Sequence, residues 1–124
     1  MSEKLIKSFE DLEAWQIAHK LVLELYRITK RFPKEELYGI VNQLRRAALS
    51  VTSNIAEGFS RYNYNDKIRF YYNSRGSVSE VRNCLILSKD LDYITKDEHQ
   101  ILLVETERVL KIINGLIRSI EKQK

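Results

Sequence analysis

Few residues in this sequence are of a type that does covalent or metal chemistry. His19 and His99 stand alone on different predicted helices, without the Glu-x-x-His pairing that builds a di-metal site in a helical bundle. His99 falls in the first turn of the last predicted helix, where solvent is its simplest neighbour. Cys84, the sole cysteine, has the helical phase of an apolar face, which suits an inert core thiol rather than a nucleophile needing a basic partner. No strand leads into a glycine-rich phosphate loop. The sequence argues against an enzyme and implies neither a metal nor a cofactor.

Three other features carry more. At about 100° per residue, Gln43, Arg46, Ser50, Asn54 and Glu57 form one line along a predicted helix, every member able to hydrogen-bond. Arg45 lies beside that line. A buried arginine must be paired. Arg45, Arg46, Ser50, Asn54 and Glu57 therefore read as a packing or assembly network, with Glu80 of the next helix as the acceptor for one arginine. The competing reading turns one of the arginines outward to phosphate.

The second feature is RYNYNDKIRFYYNSR at 61–75, four basic residues and one acid interleaved with aromatics. Basic groups neutralise phosphates while aromatic faces stack on unpaired bases. Arg61, Lys67, Arg69, Arg75, Tyr62 and Tyr64 are the candidate contacts. The plainer account puts Phe70 and Tyr71 in a core and leaves the basic residues solvated. The third feature is an apolar surplus on the second and third helices, beyond what one bundle buries, for which self-association is the simplest outlet.

Length and composition set the frame. A chain of 124 residues, 44% apolar and 31% charged, with one proline and four glycines, is one helical domain spanning 1–124. The net charge of +4 is spread almost evenly, so no basic arm marks a nucleic-acid partner. A single cysteine precludes an internal disulfide. The opening MSEKLIKSFEDLEAW lacks the apolar core of a signal peptide, and no stretch reaches the roughly 18 apolar residues of a membrane span. A cytoplasmic protein with no membrane partner is expected.

Four helices must position these residues. The first is expected at about 11–31, with Ser8 and Asp11 at capping-box spacing and Pro33 as its stop. The second runs over about 35–57, with Leu37, Ile40, Val41, Leu44, Ala47, Val51 and Ile55 on its apolar stripe. Gly39 lies inside it, which suggests a close backbone approach, and Gly58 sits where a C-terminal glycine belongs. The third covers about 65–92, with Phe70, Tyr71, Val78, Val81, Cys84, Leu85 and Leu91 inward and Ile68 outward; Gly76 hints at close packing. The fourth covers about 96–122 and begins at a Thr95–Glu98 capping box. Short loops between long helices predict an all-α, antiparallel up-down-up-down four-helix bundle.

The segments FEDLEAWQIAHKL (9–21), FPKEELYGIVNQLRRAALSVTSNIAEGFSR (32–61) and GSVSEVRNCL (76–85) resemble the four-helix bundle family named for 23S rRNA intervening sequences. The likeness spans nearly the whole chain. It implies a small bundle assembled as a homo-oligomeric ring, a homopentamer. The family is similar in turn to the accessory protein of diversity-generating retroelements, a basic pentameric barrel that binds nucleic acid and a reverse transcriptase. On that resemblance Arg45 and Arg46 match the paired arginines and Glu80 the acid of the third helix.

Together these readings point to a non-catalytic, ring-forming bundle that binds RNA or DNA. The alternative is a protein–protein adaptor or accessory subunit with no direct nucleic-acid role.

Overall fold

The computed structural model describes residues 5–123 and contains helices and turns but, among those residues, no strand. A short 3-10 turn at Phe9–Asp11 leads into α1 (Glu13–Thr29), followed by α2 (Asn42–Ser60), α3 (Tyr64–Asp90) and α4 (Lys96–Gln123). Consecutive helices pack on each other and α4 closes back onto α1. Cross-helix contacts run in opposite directions, as an antiparallel bundle requires. Ser50 meets Ser77 while Lys67 reaches Gly58, and Arg82 faces Glu107 while Arg75 meets Asn114.

The core follows the apolar periodicity. Leu21 and Leu25 of α1, Leu44, Val51 and Ile55 of α2, Val78, Val81 and Leu85 of α3, and Leu102, Val109 and Ile113 of α4 are almost wholly buried. The hydroxyls that enter this core all find carbonyl acceptors: Ser74 donates to the Val51 carbonyl at 2.7 Å, Ser88 to Cys84 at 2.8 Å and Thr29 to Leu25 at 2.7 Å. No described buried side-chain nitrogen or oxygen lacks a partner, as a stable interior demands.

The capping signals act as read, with one change of target. The Asp11 carboxylate accepts from the backbone N–H of Ser8 at 3.1 Å and of Lys7 at 2.9 Å, so it caps the 3-10 turn rather than α1. Thr95 and Glu98 form the full reciprocal box, at 2.8 and 3.0 Å. The other oxygen of Glu98 holds the Arg31 guanidinium, tying the end of the first helical segment to the start of α4. These contacts, led by the Thr95 N–H, hold the Glu98 carboxyl below its usual value. At the α3 start, Asn63 accepts from the Asn65 N–H at 2.8 Å.

The glycines correct the sequence reading at three places. Gly39 is not inside a regular helix: residues Lys34–Glu36 form a 3-10 turn, Leu37–Val41 a π turn, and Gly39 breaks helical geometry at φ −105°, ψ −117°. A Cβ there would meet only the Glu36 carboxylate, so no neighbouring backbone forces glycine. Gly58 does not end its helix, which continues to Ser60; it is the point where the Tyr71 ring comes closest. Gly76 faces open space and packs against nothing. The kink also shifts helical phase, leaving Leu37 half exposed although it sits on the sequence-derived stripe. On α3, Ile68 is buried rather than outward, and Leu91, just past the helix end, is exposed.

Candidate nucleic-acid interface

The turn between α2 and α3 gathers most of the basic-aromatic segment. Arg61, the residue after α2, and Arg69, one turn into α3, both lie against the Phe70 ring, at 4.7 and 5.0 Å from its centroid. Phe70 is therefore a half-buried platform rather than a core residue. Arg61 also reaches Glu57 at 3.2 Å, and Arg69 lies 3.7 Å from Asp66. Pairs this exposed contribute little, so both guanidiniums remain open to an external anion. Tyr62 beside them is 99% exposed, and Tyr64 is also exposed.

Two members of the expected set do other work. The Lys67 ammonium donates to the carbonyls of Phe59 and Gly58 at 2.8 and 3.2 Å and sits 5.5 Å from the Phe59 ring centroid. It thereby caps the end of α2, serving the Phe59 carbonyl and adding a second donor to the Gly58 carbonyl, which also accepts from the Arg61 N–H at 3.3 Å. Burial there pushes its pKa down. Arg75 lies elsewhere, on the α3–α4 seam, where it donates to Asn114 Oδ1 at 3.0 Å and covers the Tyr72 ring at 4.6 Å. It lies six positions beyond Arg69, about 120° around the helix. The six candidates therefore split into a cluster of Arg61, Tyr62, Tyr64 and Arg69, a structural Lys67 and a remote Arg75.

The arginine network of α2 also differs from expectation. Arg45 does not reach Glu80: it donates to Thr29 Oγ1 at 2.9 Å and the Tyr26 carbonyl at 3.3 Å, with its guanidinium over the Tyr26 ring at 4.7 Å. It joins α2 to α1, not to α3. Arg46 and Glu80 line one shallow hollow with Gln43, Ala47 and Ser50 but make no ion pair with each other. Ser50 and Asn54 do form a network. Asn54 donates to the Ser50 carbonyl at 2.8 Å, and Ser50 shares a hydrogen bond with Ser77 of α3. Glu57 belongs to Arg61 instead. Helical phase alone could not have revealed the Arg45 acceptors: the Tyr26 carbonyl carries no sequence signature, and Thr29 lies on another helix, 16 positions away.

The remaining chemistry-bearing groups are quiet. His19 stacks on Trp15 at 4.5 Å between centroids. The Cys84 thiol is buried, and burial together with the Glu80 charge pushes its pKa up, which disfavours the reactive thiolate. Among the described residues, no group of three His, Cys, Asp or Glu is placed to hold a metal ion, and no helix is long and apolar enough to cross a membrane.

Comparison with known proteins agrees with this architecture. No curated protein matches the sequence. A crystal structure of a protein of unknown function from the S23 ribosomal protein family of Bacteroides thetaiotaomicron superposes with a TM-score of 0.79 at 17% identity, over 85% of this chain and 95% of that one. That likeness is one of fold. The sequence pattern of 23S rRNA-intervening sequence proteins matches residues 10–115. That span takes in α1 to α3, most of α4 and the 32–61 motif, and the chain belongs to the 23S rRNA-intervening sequence protein family.

Proposed function

We propose that this chain is a non-catalytic, cytoplasmic bundle that assembles as a ring and binds structured RNA or DNA at the α2–α3 turn. The observation that carries this reading is the pair Arg61 and Arg69 flanking Phe70, with Tyr62 projecting into solvent beside them. Guanidiniums held against an aromatic ring stay charged and oriented, and a free tyrosine face can stack on an unpaired base. A family name that refers to intervening sequences of 23S rRNA favours RNA as the polyanion.

Ring formation is supported by the exposed Tyr38 and Leu49 on the α2 side and Ile86, Leu87 and Leu91 at the end of α3. The number five comes from the family resemblance. Five copies would multiply weak contacts into useful avidity without any large charge per subunit.

Gel shift of a structured RNA tests the binding. Affinity should fall steeply between about 50 and 150 mM salt, and R61E/R69E should abolish the shift at low salt. Absence of any shift at low salt, with RNA or DNA, overturns it. Mass measurement in solution tests the ring, which a clean monomer would contradict.

The Glu57–Arg61 and Asp66–Arg69 pairs favour one second reading. In it the ring is an adaptor or accessory subunit for a protein such as a reverse transcriptase. Partner capture would then survive R61E/R69E.

A further inference from the structure

The seam between α1 and α4 is the least closely packed of the four helix seams. It opens into a trough of about 610 Å³ whose apolar lining includes Leu12 just ahead of α1, Ile17 of α1, and Ile112 and Leu116 of α4. Arg108, Lys111 and Arg118 stand around it, and Glu13 is the one acid among its lining residues. None of these three cations makes an ion pair or hydrogen bond among the described residues.

The trough continues a longer pattern. Ile101, Val104, Arg108, Lys111, Gly115 and Arg118 follow one another along α4 in alternating steps of three and four. That spacing keeps a stripe facing a companion helix that coils gently around it. Ile101 and Val104, 62% and 54% exposed, are large apolar side chains left in water. The stripe is therefore apolar in its first turns and cationic in the rest, over about 26 Å of helix.

We propose that the α1–α4 seam docks an amphipathic helix of a partner protein, apolar against Ile101 and Val104 and acidic against Arg108, Lys111 and Arg118. Charge complementarity selects this occupant. A small organic anion would fill the trough and leave Ile101 and Val104 exposed. A nucleic acid would use the cations and gain nothing from the apolar lining. Helix-in-groove docking uses both. The seam shares no residue with the α2–α3 turn, so it stands or falls separately from nucleic-acid binding.

The test uses two fluorescein-labelled helical peptides of about 18 residues. Both carry leucines at alternating steps of three and four; one has glutamates flanking its last two turns, the other lysines. Fluorescence anisotropy with the full chain should show the glutamate peptide binding at least about tenfold tighter, and R108E/R118E should invert that preference. Ile101→Asn with Val104→Asn, an independent variant that keeps the charges, should weaken the glutamate peptide at least about fivefold. Equal binding of the two peptides, no binding of either, or a preference unmoved by R108E/R118E overturns the proposal. So does loss of a native oligomer on R108E/R118E, which would assign the seam to a second copy of this chain.

Discussion

Gly58 and Tyr71 share one volume: a Cβ on Gly58 would lie 2.5 Å from Tyr71 Cε1 and 2.9 Å from Cδ1. The ring is 2% exposed and cannot swing away. Gly58 is thus the contact that lets α2 and α3 close over a large aromatic residue at the end of the bundle where the candidate interface lies.

Replacing Gly58 by alanine sets two effects against each other. Helix propensity alone would favour alanine by about 1 kcal/mol. Forcing a methyl into the Tyr71 ring costs about 1–3 kcal/mol or more. Sterics should win, and Gly58→Ala is expected to lower stability by about 1–2 kcal/mol. Gly76, with nothing within 4 Å of its Cβ position, should behave oppositely. Gly76→Ala should raise stability by about 0.5–1 kcal/mol. Urea unfolding of the two variants at unchanged m-value reads both signs.

Tyr71 also gives the fold a limit at high pH. Burial pushes its phenol up from 10.0 to about 12. A proton held more tightly in the folded state adds stability that is complete below about pH 10 and is lost as pH rises through 12. Wild-type protein should therefore lose stability progressively across that window. Tyr71→Phe should match wild type near neutrality and lose less there. Melting temperature against pH, with phenolate absorbance near 295 nm as the reporter, checks the assignment.

Arg45 and Arg46 are adjacent and chemically identical, yet only one holds helices together. Arg45→Ala removes two cross-helix hydrogen bonds and a cation–ring contact, and should cost about 1–2 kcal/mol. Arg46→Ala removes no internal partner and should stay within about 0.5 kcal/mol of wild type. Denaturant midpoints measured in the monomeric or dilute state separate them; equal losses would contradict the assignment.

Lys67 should part company with the arginines around it. Because its ammonium already serves the Gly58 and Phe59 carbonyls, Lys67→Met should lower stability by about 1 kcal/mol. The salt dependence of RNA binding should be unchanged. R61E/R69E should do the reverse, leaving the melting temperature nearly fixed while collapsing RNA affinity. A lower salt slope for Lys67→Met would restore it to the contact set.

The bundle was legible because its core obeys helical period: Ile40, Val41, Leu44, Ala47, Val51 and Ile55 are all buried as the spacing requires. The misreadings share a physical origin. Periodicity places a residue on a face but does not register where that face ends, so Phe70 passes for core and Ile68 for surface. A glycine in a helix announces that something is unusual without saying what. Gly39, Gly58 and Gly76 turned out to be a kink, a steric contact and open space. The candidate interface was half legible. Charge and aromatic content located the α2–α3 turn, but the assignment of Lys67 to two carbonyls depends on backbone geometry that no residue type encodes.

The break at Gly39 divides the second helical stretch into two independently phased pieces. Residues before it, including Tyr38 at 90% exposure, take their outward direction from the π turn. Those after Asn42 take theirs from the core. A joint of this kind uncouples rim from interior. Substitutions or single-residue length changes ahead of it can remodel the outer edge of the bundle while the buried stripe from Leu44 to Ile55 keeps its register.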